Sequence, residues 1–279
     1  MCTLLLAMAF LSYARPAVPD EPQKVEIRSG LVTLGGLLWR PKGAGPFPAV
    51  LLNHGSGRTK EELARLGPYE EQAYRLGPVF ARHGYLFLFL FRRGVGLSSG
   101  MGQSAVDLLK AEFVARGNAG RNKLQLQLLD GRERTDAFAG LAWLRALPEA
   151  DRRNIMLVGH SFGGSLTVFM AAEDAEVRAA VVFSGAGYSW DRSPELRARL
   201  LEAVTRARAS FFFIHAANDF SLGSGQALDA RLAKTGKPHR LKIYPPTGQT
   251  AEEGHAFALS GVPIWEPDVF SFMDSELQR

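Results

Sequence analysis

The sequence predicts an α/β protein built on a mostly parallel sheet with helices on both faces. Strand and helix patterns take turns along the chain, which is the mark of βαβ units. Its strands include continuous apolar runs such as YLFLFLF at 85–91, and a run without alternation is what a strand buried on both faces looks like. The 279 residues, 46% of them hydrophobic, can bury one large core, and α/β folds of this length are commonly one domain.

The elements follow in order. VEIRSGLVTLGGLLWRP alternates apolar and polar positions around glycines and stops at a proline, as an antiparallel hairpin at a sheet edge does. FPAVLLNHGSG is an apolar strand running into a glycine-rich turn. Residues 60–83 carry helical spacing, with Leu63, Leu66, Tyr74 and Phe80 among charges, and end at His83-Gly84. YLFLFLF comes next, then an amphipathic helix over 131–147, the strand NIMLVG and a helix from Phe162 to about Glu173. AAVVFSGAG and SFFFIHAAND are further buried strands. A helix near 224–235 precedes the last strand, RLKIYPPTG, and PDVFSFMDSELQ closes the chain as a helix. Residues 98–130 and 188–208 read as insertions after strand C-termini, the edge where open α/β sheets bind ligands. That position makes them candidate lid or pocket walls.

Residues 1–23 join a short apolar run to a Pro-rich polar stretch and resemble a secretory signal peptide, with Ser12-Tyr13-Ala14 as the cleavage site. They predict a secreted or periplasmic protein, a cytoplasmic one being the alternative, and leave 24–279 as a single domain. The apolar run is too short to span a bilayer comfortably, so no stable membrane insertion is expected. Cys2, the only cysteine, lies in that leader, so the mature chain is expected to lack a disulfide, a thiolate nucleophile and a cysteine metal site.

The net charge is +5, but Lys and Arg are scattered, which predicts a solvated basic surface and no nucleic-acid partner. The histidines are dispersed without H-E-x-x-H spacing, and the first strand turn is HGSG rather than G-x-G-x-x-G. Neither a metal nor any other cofactor is expected. The pattern does not set the oligomeric state.

NIMLVGHSFGGSL, at 154–166, holds the chemistry. G-H-S-F-G fits G-x-S-x-G, with an apolar strand before it and a helix after it, and its glycines clear a sharp turn around Ser161. A serine hydroxyl attacks only if a base takes its proton, and the base works best when a third group orients it. Asp219 directly follows the strand SFFFIHAAN, and His255 lies in EEGHAF between the last strand and the terminal helix. Both therefore sit at the same sheet edge as Ser161, and the order Ser, Asp, His is the one this elbow requires. The alternative for Asp219 is a helix N-cap. Asp268, at a helix start, is the other late aspartate.

Acyl transfer also needs donors for the developing oxyanion. The backbone N–H of Phe162 is one, and NHGSG at 53–57 offers the second, Ser56 N–H, with Gly57 as the alternative. Of the other histidines, His215 reads as a core histidine and the backup base, and His54 as a brace of the oxyanion loop. His160 reads as packing, His239 lies at the wrong edge, and His83 neighbours a helix C-terminus. Arg93 is expected to hold its loop, and Tyr69, Tyr74, Trp190 and Phe220 are candidate pocket walls.

HGSG (54–57), RGVGLSSG (93–100), GHSFGG (159–164), HAAND (215–219) and GHAF (254–257) together resemble the α/β-hydrolase superfamily over residues 24–275. The resemblance is strongest to its dienelactone hydrolase-like and acyl-peptidase-like esterase branch. It implies an eight-stranded, mostly parallel sheet and hydrolysis of an ester, thioester, lactone or amide through an acyl-enzyme. Dienelactone hydrolases proper look to a cysteine where this chain has Ser161, and Phe91 and Arg92 stand where an aspartate often precedes Arg-Gly. The expectation is thus a serine carboxylesterase acting on a small-molecule ester. An amide or peptide hydrolase and a non-catalytic binding protein are the alternatives. No propeller-sized N-terminal domain that would gate peptides is expected, which favours the ester.

Overall fold

The computed structural model describes residues 21–56 and 66–278; the leader's apolar run, its cleavage site, Cys2 and Gly57 lie outside the described residues. The chain enters as a hairpin, β1 (Gln23–Ser29) against β2 (Val32–Trp39), with Ser29 opposite Val32. Then come β3 (Phe47–Asn53), β4 (Leu86–Leu90), β5 (Ala150–His160), β6 (Val177–Phe183), β7 (Ser210–Ala216) and β8 (His239–Tyr244). They form one eight-stranded sheet in the order β1-β2-β4-β3-β5-β6-β7-β8. β1–β2 and β2–β4 are antiparallel, and every other pair is parallel.

β4 shows how the apolar runs serve this sheet. All five of its residues are at most 1% exposed, with Leu86, Leu88 and Leu90 in one core and Phe87 and Phe89 in the other. Successive strand side chains point to opposite faces, so only an uninterrupted apolar run satisfies both cores.

The helices, in chain order, are α1 (Tyr69–Arg82), α2 (Ala105–Asp130), α3 (Arg132–Ala146), α4 (Phe162–Glu173), α5 (Pro194–Arg206), α6 (Gly223–Ala233), α7 (Ala251–His255), α8 (Phe257–Ser260) and α9 (Val262–Leu277). α2 to α6 feed the core on one face, and α1, α8 and α9 the core on the other. α2 is bent at Gly117 (φ 64°, ψ −159°), which divides residues 98–130 into two helical pieces. Residues 188–208 hold α5, which packs on α4 and α6. A parallel β6–β7 pair needs a crossover of about a dozen residues or more, so this span is the crossover and not an ornament on a short loop. Among the described residues no helix is long and apolar enough to cross a membrane.

Candidate active site

β5 ends at His160, α4 begins at Phe162, and Ser161 between them has φ 56° and ψ −116°, a conformation that L-residues rarely adopt. Such a residue costs about 1–3 kcal/mol and persists only where its surroundings determine it. Ser161 N–H donates to Phe183 O (2.9 Å), and Ser161 O accepts from Ser165 (3.1 Å) and Ala186 (3.2 Å). The burial of α4 offsets the strain, since Leu166, Val168 and Phe169 are at most 4% exposed and one such side chain contributes about 1.5–3 kcal/mol. Gly163 is required here for close approach: a Cβ would lie 2.0 Å from Asn53 O.

The elbow lifts Ser161 Oγ to the sheet edge, where it donates to His255 Nε2 (2.8 Å). His255 Nδ1–H donates to Asp219 Oδ1 (2.7 Å). The structure thus brings Ser161, His255 and Asp219 into one hydrogen-bonded run. Asp219 is no helix cap, because α6 starts later with Leu222 at its N-cap position. Its Oδ1 also accepts from Phe220 N–H (2.7 Å), and its Oδ2 from His215 Nδ1–H (2.8 Å). Asp268 is engaged elsewhere, by Arg240, Lys242 and Tyr244.

His255 closes α7, a short helix where the sequence suggested a loop. The overlooked signal is T-x-x-E at 250–253. Thr250 Oγ1 accepts from Glu253 N–H (3.2 Å) and Glu253 Oε2 accepts from Thr250 N–H (3.0 Å), a capping box. Asn218 ties this helix to the Asp219 turn, donating to Thr247 O (3.0 Å) and Thr250 O (2.7 Å) and accepting from Thr247 N–H (2.9 Å). Gly187 leaves the room that the imidazole needs, since a Cβ there would lie 2.6 Å from His255 Cε1.

Burial works against ionised Asp219, but the charge of His255 and the N–H groups of His215 and His255 outweigh it and hold the carboxyl far below its usual range. His160 Nε2–H donates to the carbonyl of His255 (2.8 Å). Burial, then the facing His255, pulls His160 down to about 3. An unfolded histidine titrates near 6.5, so between these values only the unfolded chain takes up the proton, and stability falls as pH falls. By ~1.4 kcal/mol per pH unit, His160 removes roughly 2–3 kcal/mol between pH 7.5 and 4.5. Asp219 works in the same direction only below about pH 4, where unfolded carboxylates protonate. Urea midpoints at pH 7.5 and 4.5 check this: His160→Gln keeps an amide donor and is expected to narrow the gap, and an unchanged gap rejects the assignment.

The loop that follows β3 and carries Ser56 lies beside the elbow. A Cβ on Gly55 would sit 3.4 Å from Ser161 Cβ, and Ser56 and Phe162 line the same cleft. Phe162 N–H opens α4, where no earlier carbonyl of the helix can take it. Tyr69 hydroxyl reaches the carbonyls of Gly55 (3.4 Å) and Ser56 (3.3 Å). His54 braces the loop, its Nδ1–H donating to Gly55 O (2.7 Å) and its Nε2 accepting from Arg92 N–H (3.3 Å). Burial first, then the charge of Arg92, keeps His54 well below its usual pKa.

Arg92 completes this clamp, donating from Nη2 to His54 O (2.8 Å) and from Nε to Glu133 Oε2 (2.9 Å). Both charged side chains are 2% exposed. Removing one charge of a buried pair strands the other and costs about 3–5 kcal/mol. Glu133→Gln is expected at the low end, with Tm lower by roughly 6–12 °C for a domain of this size. An unchanged Tm by calorimetry would show the pair to be dispensable. Arg93 holds its own turn through Asp136 (2.8 Å).

The cleft is narrow, with room for little more than about 20 Å³ beside Ser161 and His255. α2 supplies Arg121 and Gln125 to its wall, and the turn after β6 supplies Tyr188 and Ser189. Ser189 Oγ and Arg121 Nη1 both donate to Gln125 Oε1 (2.9 and 3.0 Å). Phe220 lies 4.7 Å from the His255 ring. Tyr74 instead packs edge-on to Trp39 at 5.6 Å, and Trp190 is buried against Gly223. Sequence reasoning missed Arg121, Gln125, Tyr188 and Ser189.

A serine elbow after β5, an aspartate after β7 and a histidine after β8, on a sheet of this order, define a protein of the α/β-hydrolase fold. Residues 72–266 match the model of the Dienelactone hydrolase family, and the chain belongs to that hydrolase family. The Quorum-quenching protein AidA of Acinetobacter baumannii is 27% identical over 164 residues, 59% of this chain and 44% of that protein's length. The acylaminoacyl peptidase of Pyrococcus horikoshii aligns with a TM-score of 0.64 at 18% identity over 93% of this chain and 41% of the peptidase. A dienelactone hydrolase from Anabaena variabilis gives 0.56 at 22% identity, covering 90% and 96% of the two chains. An esterase from Pyrococcus furiosus gives 0.61 at 18%, covering 92% and 91%. At these identities the structural likeness is one of fold.

Proposed function

We propose that the chain is a serine hydrolase that cleaves a carboxylic ester, or a lactone or thioester, through an acyl-enzyme on Ser161. The observation that carries this reading is the hydrogen-bonded run from Ser161 Oγ through His255 to Asp219, at 2.8 and 2.7 Å. Ser161 Oγ attacks the carbonyl carbon as its proton passes to His255 Nε2. Asp219 holds the imidazole in the tautomer with the proton on Nδ1 and stabilises the imidazolium that forms. The oxyanion is taken by the N–H groups of Phe162 and Ser56. Collapse expels the alcohol, protonated by His255, and leaves the acyl group on Ser161. A water molecule then attacks, its proton passing to His255, and the acid departs.

A fluorophosphonate probe followed by peptide mass mapping tests the nucleophile. Phosphonylation of Ser161 is expected, and folded protein that stays unlabelled rejects the reading. A series of p-nitrophenyl esters of rising chain length, run beside a peptide anilide, tests the substrate. Short esters are expected to turn over fastest, whereas faster turnover of the anilide identifies an amide hydrolase.

A further inference from the structure

We infer that His215 is a positioning residue that fixes the Asp219 carboxylate from the side opposite His255, an inference that rests on the serine-hydrolase reading. The two imidazoles share one carboxylate: His215 Nδ1–H donates to Oδ2 (2.8 Å), and His255 Nδ1–H donates to Oδ1 (2.7 Å). All three side chains are at most 2% exposed, so water does not replace either bond. The terminal torsion of a carboxylate is broad and roughly two-fold. Phe220 N–H and His255 Nδ1–H hold Oδ1 and His215 Nδ1–H holds Oδ2, so with a donor on each oxygen the carboxylate plane is set and Oδ1 stays aimed at His255.

The surroundings of His215 are shaped to this task. β7 ends at Ala216, so the turn over 217–219 brings Asp219 back over the last strand residues. Asp219 N–H donates to Ala216 O (3.0 Å), closing that turn. Ser224 Oγ lies 3.5 Å from His215 Nε2, on the ring edge away from Asp219. Gly225 leaves the ring its space, since a Cβ there would come within 2.7 Å of both Cδ2 and Nε2. The ring is thus set between the catalytic turn and the small residues that open α6. A histidine serving only as core filling needs neither the carboxylate nor this orientation.

The groups that face the pair are His255 from α7, Asp219 from its turn and Ser224 from α6, with His160 from β5 at 4.9 Å from the His255 ring. Removing the His215 donor leaves Asp219 Oδ2 bare in the interior. The carboxylate then turns away for part of the time. A carboxylate that has turned away no longer orients His255, and proton removal from Ser161 slows.

The test uses the full chain and a fluorophosphonate as probe, with the rate of phosphonylation followed against pH. In that reaction Ser161 Oγ bonds to phosphorus, the P–F bond breaks, fluoride leaves and the serine proton passes to His255. The variants are H215L, which has no donor; H215N, whose amide stands at the Nδ1 position; and H215Q, whose amide stands at the Nε2 position. H215L and H215Q are expected to react about 10- to 100-fold more slowly than wild type, as loss of one hydrogen bond to a charged group implies. H215N is expected to recover most of the rate. Should H215L fail to fold, the contrast of H215N with H215Q carries the test. Rates of H215Q within about twofold of wild type, or H215N as slow as H215Q, overturn the inference. The downfield proton resonance of His255 Nδ1–H reads the same geometry without catalysis: it is expected to shift in H215Q and return in H215N. If wild type is not labelled, the serine-hydrolase reading fails by itself, and this resonance still decides whether His215 positions Asp219.

Discussion

Ser161→Ala leaves a folded protein whose ester hydrolysis is slower by about 10⁴-fold or more in kcat, the scale on which loss of a serine nucleophile acts. The backbone reason for intact folding is specific. At φ 56° the strain comes from the Cβ, which alanine also has, so the elbow keeps its geometry. The backbone bonds of Ser161 to Phe183, Ser165 and Ala186 stay in place. The side chain gives up one hydrogen bond, to His255, worth about 1 kcal/mol to stability. Activity and stability therefore separate. KM is expected to change little, since the cleft walls from α2 and the Tyr188 turn are untouched. Steady-state kinetics on the fastest p-nitrophenyl ester, beside a thermal melt, measure both. A folded variant that keeps a tenth of wild-type kcat would falsify Ser161 as nucleophile.

The sheet was legible because strands buried on both faces must be apolar throughout. β4 meets that demand over its whole length and β7 over Phe211–Ile214, so that no helix pattern competes with it. Ser161 was legible for a similar reason: a strand that turns at once into a helix needs glycines around one exposed residue, and that need is local. Asp219 and His255 could be placed because each follows a recognisable strand.

What escaped is what tertiary contact decides. Arg92 and Glu133 meet across 41 residues, and nothing in either stretch marks the pairing. Gln125 lines the cleft from the part of α2 beyond its bend at Gly117, where Ser189 bonds to it across 64 residues. The turn after β6 buries Trp190 and turns Tyr188, two residues earlier, to the cleft, so an aromatic in the right stretch was not enough. His215 was readable as buried, and its burial suggested packing. Its bond to Asp219 depends on a turn whose course is set by Asn218 and the α7 segment, far along the chain.

Asp219→Ala lowers kcat by about 10⁴-fold, comparable to loss of the triad acid where it has been removed alone. Asp219→Asn is expected to cost less, about 10²-fold, for a reason that lies in the donors around the carboxylate. Phe220 N–H donates to Oδ1, the oxygen that also serves His255, and a backbone amide cannot become an acceptor. The asparagine oxygen must then occupy the Oδ1 position, and its NH2 group faces His215. His215 can accept there at Nδ1 by moving its proton to Nε2, with Ser224 Oγ beside it. His255 keeps the tautomer that leaves Nε2 free to accept from Ser161. What the asparagine lacks is the charge that stabilises the imidazolium, and that loss sets the remaining defect. Parallel measurement of kcat for the two variants distinguishes orientation from charge. An asparagine variant as slow as the alanine variant means that the amide has turned its NH2 group to His255. An alanine variant near wild type removes Asp219 from the reaction and with it the role inferred for His215.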